Sequence, residues 1–185
     1  MARLAPQKNR IHARIGIVLA TVALVGLGLV PAVRAKERAA GPAEATPERL
    51  VGRMAPDFPT KPGYGLSVPR LSSLQGKVVL LDFWATWCRP CLRALADLQD
   101  LQEKLGKAGF TVVGISADSP MEVAGILADK GASYPQVFDR GGRIAARYAV
   151  TAFPTLVLIG RDGRVKRISL GGLEPILIAL TTMLK

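Results

Sequence analysis

The stretch VVLLDFWATWCRPC, Val78 to Cys91, changes its hydrophobic period part-way along. Val78 to Trp84 is a continuous apolar run broken by one acid, Asp82, the pattern of a central strand covered on both faces. Beyond it Leu92, Leu95, Leu98, Leu101 and Leu105 recur at helical spacing, which predicts a helix from Cys91 to Gly106. Cys88 and Cys91, the two cysteines of the 185-residue chain, therefore stand where strand turns into helix.

The same alternation of periods continues outward. Gly109 interrupts the path from the helix, and FTVVGIS, Phe110 to Ser116, reads as a second buried strand. Ser119-Pro120 gives a helix its cap and its first residue, and Lys130-Gly131 ends it. YPQVFD suggests a short extended piece, and Gly142 to Tyr148 a short helical one. PTLVLIG and RVKRISL read as strands joined by the turn Arg161-Asp162-Gly163, followed by an apolar helix from about Leu173 to Leu184. Before Val78, residues 52–77 are rich in Pro and Gly with brief apolar alternations, which predicts irregular chain with one or two short edge strands. The pattern is that of an α/β domain around a mixed sheet.

The N-terminal part has a different character. Ile15 to Val30 holds sixteen residues without a charge, preceded by Arg3, Lys8, Arg10 and Arg14. Residues 1–35 are thus expected to be a secretory signal, with Val33-Arg34-Ala35 offering small residues for cleavage, or an uncleaved membrane anchor through residues 15–33. Either outcome puts the remainder in a periplasmic or other extracytoplasmic space, where disulfides persist. Residues 36–51 mix Ala, Glu, Arg, Gly and Pro without an apolar face and read as a tether, leaving residues 52–185 as the domain. The net charge of +11 suits an anionic surface, but with scattered basic residues and few aromatics there is no footprint for nucleic acid.

At the mouth of a helix, unpaired backbone N–H groups and the dipole favour a thiolate, so Cys88 is expected to have a lowered pKa and to be the nucleophile. Cys91, one turn further in, is placed to resolve the resulting mixed disulfide. Arg89 adds positive charge between them and Pro90 stiffens the turn. A metal role fails for want of ligands. Zinc needs two further cysteines or histidines, yet the only histidine, His12, precedes the apolar segment, and a Cys-His hydrolase lacks its base likewise. A static disulfide across so short an interval would restrain little chain entropy. Asp82, on one face of the buried strand, is expected to have a raised pKa and to take the proton of Cys91 as that thiol attacks. Trp87 is expected to offer a partly exposed apolar face to a partner, with Trp84 in the core.

The segment VVLLDFWATWCRPC resembles the active-site segment of the thioredoxin superfamily, and TAFPTLVLIGRDGRV resembles its cis-proline segment and the hairpin that follows. VGRMAPDF, together with LSSLQGKVVLLDFWATWC, is similar to the TlpA/ResA/DsbE-like branch, which also covers redoxin and AhpC/TSA-type domains. The resemblance implies a thioredoxin-like fold with helices on both faces of the sheet, and Cys88–Cys91 as a redox-active disulfide. It also implies Pro154 as a cis-proline beside the cysteines, and Phe153 offering backbone to an incoming peptide. The implied activity is thiol-disulfide exchange, reducing protein disulfides with electrons from a membrane dithiol carrier of DsbD/CcdA type and with no cofactor. Two departures stand out: Ala94 lies where many relatives serving cytochrome c maturation carry an acid, and Asp82 where they often carry Asn. Two other chemistries remain on the sequence, a redoxin-type thiol peroxidase and a Cu(I)-handling module. Against the first, Ala85 occupies the position three before the cysteine where a peroxidatic site has Thr; against the second, no histidine follows the cysteines.

Overall fold

The computed structural model describes residues 46–58 and 70–184; the expected signal or anchor (1–35) and most of the expected tether lie outside them. Five strands form one sheet: β1 (Val78–Phe83), β2 (Phe110–Ser116), β3 (Gln136–Phe138), β4 (Thr155–Ile159) and β5 (Val165–Leu170). Their order is β3-β2-β1-β4-β5, with β1 parallel to β2, β2 parallel to β3, and β4 antiparallel to both β1 and β5. The mixed sheet expected from the sequence is present, and β1, the run with Asp82 in it, is its central strand.

The helices are α1 (Arg89–Leu105), α2 (Pro120–Lys130), α3 (Arg143–Arg147) and α4 (Glu174–Met183). Alternation along the strands sorts the core into two layers. Val78, Leu80 and Trp84 of the β1 run meet Leu95 and Leu98 of α1, Val123 and Leu127 of α2 and Ile176 and Leu180 of α4. Val79, Leu81 and Phe83 point the other way, to Ile144 of α3 and to Leu50, Leu71 and Leu74 of two short 3₁₀ turns. Helices thus cover both faces, three on one and a short one on the other.

Local chemistry explains the boundaries. Ser119 caps α2 in a capping box, its hydroxyl accepting from the Glu122 N–H while the Glu122 carboxylate accepts from Ser119. The buried Asp139 accepts from the N–H groups of Ile144 and Ala145, which satisfies donors that have no intrahelical partner at the start of α3. Gly109 takes the left-handed backbone, φ +84°, that turns the chain from α1 into β2.

The approach to β1 differs from expectation. Among the described residues, the one or two edge strands reduce to a single bridge between Met54 and Arg164. The chain is held instead by its 3₁₀ turns at Pro47–Leu50 and Leu71–Leu74 and by specific contacts: the Tyr148 hydroxyl donates to the Pro56 carbonyl, and Arg147 donates to that of Asp57. Proline and glycine mark this region as irregular, and among its described residues Phe58, Leu71 and Leu74 anchor to the layer that contains Ile144 rather than pairing. Among the described residues no helix is long and apolar enough to cross a membrane.

Candidate active site

After Phe83 the chain leaves the sheet through Trp84 to Trp87 and enters α1 with Cys88 as its N-cap. Arg89 and Pro90 occupy the first two helical positions, and both are exposed. A proline there gives up an N–H that would have no intrahelical partner anyway. Cys88 and Cys91 form a disulfide, with the Cys91 N–H 3.3 Å from Cys88 Sγ. Both cysteines are buried, in the same core layer as Trp84 and Leu156.

The loop before Cys88 is fixed by a group that sequence reading had passed over. Asp118, just beyond β2, accepts the Thr86 N–H at 2.6 Å and the Ser116 hydroxyl at 3.1 Å. The Cys88 N–H donates to the Ala85 carbonyl, closing the turn. Trp84 is fully buried, as expected of a core ring, whereas Trp87 is 71% exposed. The Trp87 ring lies edge-on to Phe153, with centroids 5.8 Å apart. Phe153 is half-buried and touches the layer containing the cysteines, and its bond to Pro154 is cis. Thus Trp87, Phe153 and Pro154, from two distant segments, come to the end of the sheet where Cys88 lies.

Asp82 sits on the cysteine side of β1, in line with Leu80 and Trp84, and is 2% exposed. Burial pushes its carboxyl from the ordinary 3.8 up to about 7, opposed in part by a hydrogen bond from the Tyr134 hydroxyl to Oδ2 at 3.2 Å. Two further partners complete a buried polar group. The Trp84 indole donates to Gln136 Oε1 at 3.0 Å, and Gln136 Nε2 donates to the Tyr134 carbonyl at 3.2 Å. Tyr134 and Gln136 were not legible as site residues, since YPQVFD reads only as a short strand. The available signal was Gly114 inside the apolar run FTVVGIS, because a strand glycine marks a close approach. Gly114 pairs with Asp82 on one side and Gln136 on the other, and a Cβ on it would collide with the Gln136 amide.

Comparison with known proteins gives a consistent set of relatives. The model of the AhpC/TSA family matches residues 51–168. The chain is 30% identical over 160 residues to the thiol-disulfide oxidoreductase ResA of Bacillus thuringiensis subsp. konkukian, covering 86% of this chain and 87% of that protein. It is 34% identical over 122 residues to ResA of Geobacillus thermodenitrificans, covering 65% of this chain and 70% of that one. Among solved structures it is similar to a Chlorobium tepidum protein provisionally assigned as the thiol:disulfide interchange protein DsbE. There the TM-score is 0.64 at 32% identity, over 71% of this chain and 96% of that one.

Proposed function

Because the chain belongs to the AhpC/TSA family and is a thiol-disulfide oxidoreductase of the ResA/DsbE-like kind, we propose that it reduces disulfides of protein substrates outside the cytoplasm through Cys88 and Cys91. In the dithiol form, the Cys88 thiolate attacks one sulfur of the substrate disulfide. That S–S bond breaks, the other substrate sulfur leaves as a thiolate and takes a proton from water, and Cys88 is joined to the substrate. Cys91 then gives its proton to the Asp82 carboxylate and attacks Cys88 Sγ. The bond between Cys88 and the substrate breaks, and the second substrate sulfur leaves as a thiolate that takes a proton from water or from Asp82. The substrate departs as a dithiol carrying the two electrons, while the Cys88–Cys91 disulfide remains.

The observation that carries this reading is the disulfide at the mouth of α1, with the Cys91 N–H directed at Cys88 Sγ. In the dithiol form the same N–H and the helix dipole favour the Cys88 thiolate, with the Arg89 charge beside it. The Asp82 carboxyl, pushed up to about 7, is near the pH at which a proton acceptor works best. Trp87 and Phe153 form an apolar lip on which an extended substrate rests, with the buried cis-Pro154 behind it. Regeneration of the dithiol needs a membrane dithiol donor of DsbD/CcdA type. The extracytoplasmic location rests on the basic residues before the apolar run at 15–30.

The reduced protein should accelerate insulin disulfide reduction by dithiothreitol, and absence of acceleration would remove the exchange activity. A reduction potential close to the roughly −120 mV of the strong oxidant DsbA would instead reverse the proposed direction of electron flow. Trp87→Ala should raise KM for a protein disulfide by about 5- to 30-fold with little change in kcat, the effect of losing an exposed aromatic anchor worth about 1–2 kcal/mol. An unchanged KM would take Trp87 out of the substrate lip.

A further inference from the structure

Resting on the reading of Asp82 as proton acceptor, we infer that Tyr134 is a positioning residue for the resolving step. Its hydroxyl orients the Asp82 carboxylate, and Gln136, reaching across Gly114, holds Tyr134 in place. Asp82 is buried in an apolar layer, where a carboxylate without a partner is strongly disfavoured. Among the described residues, the Tyr134 hydroxyl is the side-chain donor it has. Tyr134 is itself only 3% exposed, so its hydroxyl cannot turn to water instead.

The holding device spans three strands. Asp82 of β1, Gly114 of β2 and Gln136 of β3 lie side by side in one row, and the missing side chain of Gly114 leaves the room that the Gln136 amide fills. From there one end of the amide accepts from Trp84 and the other donates to the Tyr134 carbonyl. Trp84 lies two residues after Asp82 on the same side of the chain, so the arrangement begins and ends within the segment that leads to Cys88.

The surroundings leave the phenol little competition. Leu156 of β4 lies beside Asp82 in the sheet, and the layer on that side holds Val123 and Leu127 of α2, Ile176 and Leu180 of α4, and Cys88 and Cys91 at the start of α1, which titrate only in the dithiol form. Of the charged side chains on those helices nearest this end, Arg89, Arg93, Glu122 and Glu174 are exposed. Burial and the Asp82 charge push the Tyr134 hydroxyl well above its ordinary 10, so it stays a donor throughout the range in which Asp82 titrates. Its hydrogen bond favours the carboxylate, which is the form that accepts a proton from Cys91.

The test compares Tyr134→Phe, Gln136→Leu, Asp82→Asn and the double variant Asp82→Asn/Tyr134→Phe. The readouts are the pH profile of disulfide reduction and, for variants retaining Asp82, its carboxyl titration followed by carbon NMR. Tyr134→Phe should move the Asp82 midpoint and the rising limb of the rate profile to higher pH together, by about one unit for a lost hydrogen bond to a charged group. Gln136→Leu should move both the same way by less. On the Asp82→Asn background, Tyr134→Phe should leave the profile unchanged, since its effect passes through the carboxylate. If Asp82→Asn flattens the limb while Tyr134→Phe only lowers stability and leaves the midpoint where it was, the inference fails and Asp82 keeps its role. If Asp82→Asn itself leaves the limb untouched, the Asp82 reading fails and Tyr134 loses its role with it.

Discussion

A Cys88→Ser protein should reduce insulin disulfides roughly a thousandfold or more slowly than the parent, because no thiolate is left at the helix mouth to begin exchange. Cys91→Ser should fail differently. Its Cys88 can still attack, so it should take up one equivalent of substrate and stop, with turnover lost but the first step kept. This asymmetry is what the geometry supports: Cys88 caps the helix and Cys91 lies in its first turn, so the attacking and resolving roles are not interchangeable. Equal and complete loss of the first step in both variants, with folding intact, would contradict the division of labour.

The second large effect concerns stability. In the oxidised protein Asp82 holds its proton up to about pH 7, whereas in the unfolded chain it releases it near 3.8. Between those values the native state binds more protons than the unfolded state, so stability falls as pH rises through this window and levels off above it. Three units of difference correspond to about 4 kcal/mol. Asp82→Asn removes that charge from the core, at the expense of an amide that must find its own partners. The variant should therefore be roughly 2–4 kcal/mol more stable than the parent at pH 8, with the gain gone by pH 4. Denaturant unfolding at the two pH values measures it, and parallel pH dependences for the two proteins would show that Asp82 does not titrate as its burial requires. A buried acid that lowers stability at working pH is a reasonable mark of a group kept for chemistry.

Much of this was visible in the chain itself. The change of period across Cys88 located β1 and α1 to within two residues, and Ser119-Pro120 with Gly131 bounded α2 correctly. Those features are local: a cap, a glycine, an apolar spacing. The sequence also separated Trp84 from Trp87 and marked Asp82 as a carboxyl in an apolar strand. It did not show what surrounds Asp82. Tyr134 and Gln136 are each 52 residues from their partners, Asp82 and Trp84, and meet them only because β3 lies two strands from β1 in the sheet. Asp118 was hidden in the same way, since its bond to Thr86 depends on β2 ending beside β1. Before β1, the described residues are irregular as expected but carry a single bridge, because Phe58, Leu71 and Leu74 are buried as anchors, and burial without pairing leaves no period to read.

The most direct test of the exchange chemistry is the mass of Cys91→Ser, reduced and then mixed with an oxidised protein such as insulin. A single covalent adduct should appear, mapping to Cys88 and released by dithiothreitol. A folded variant that forms no adduct under these conditions, or forms it anywhere but Cys88, would contradict the account.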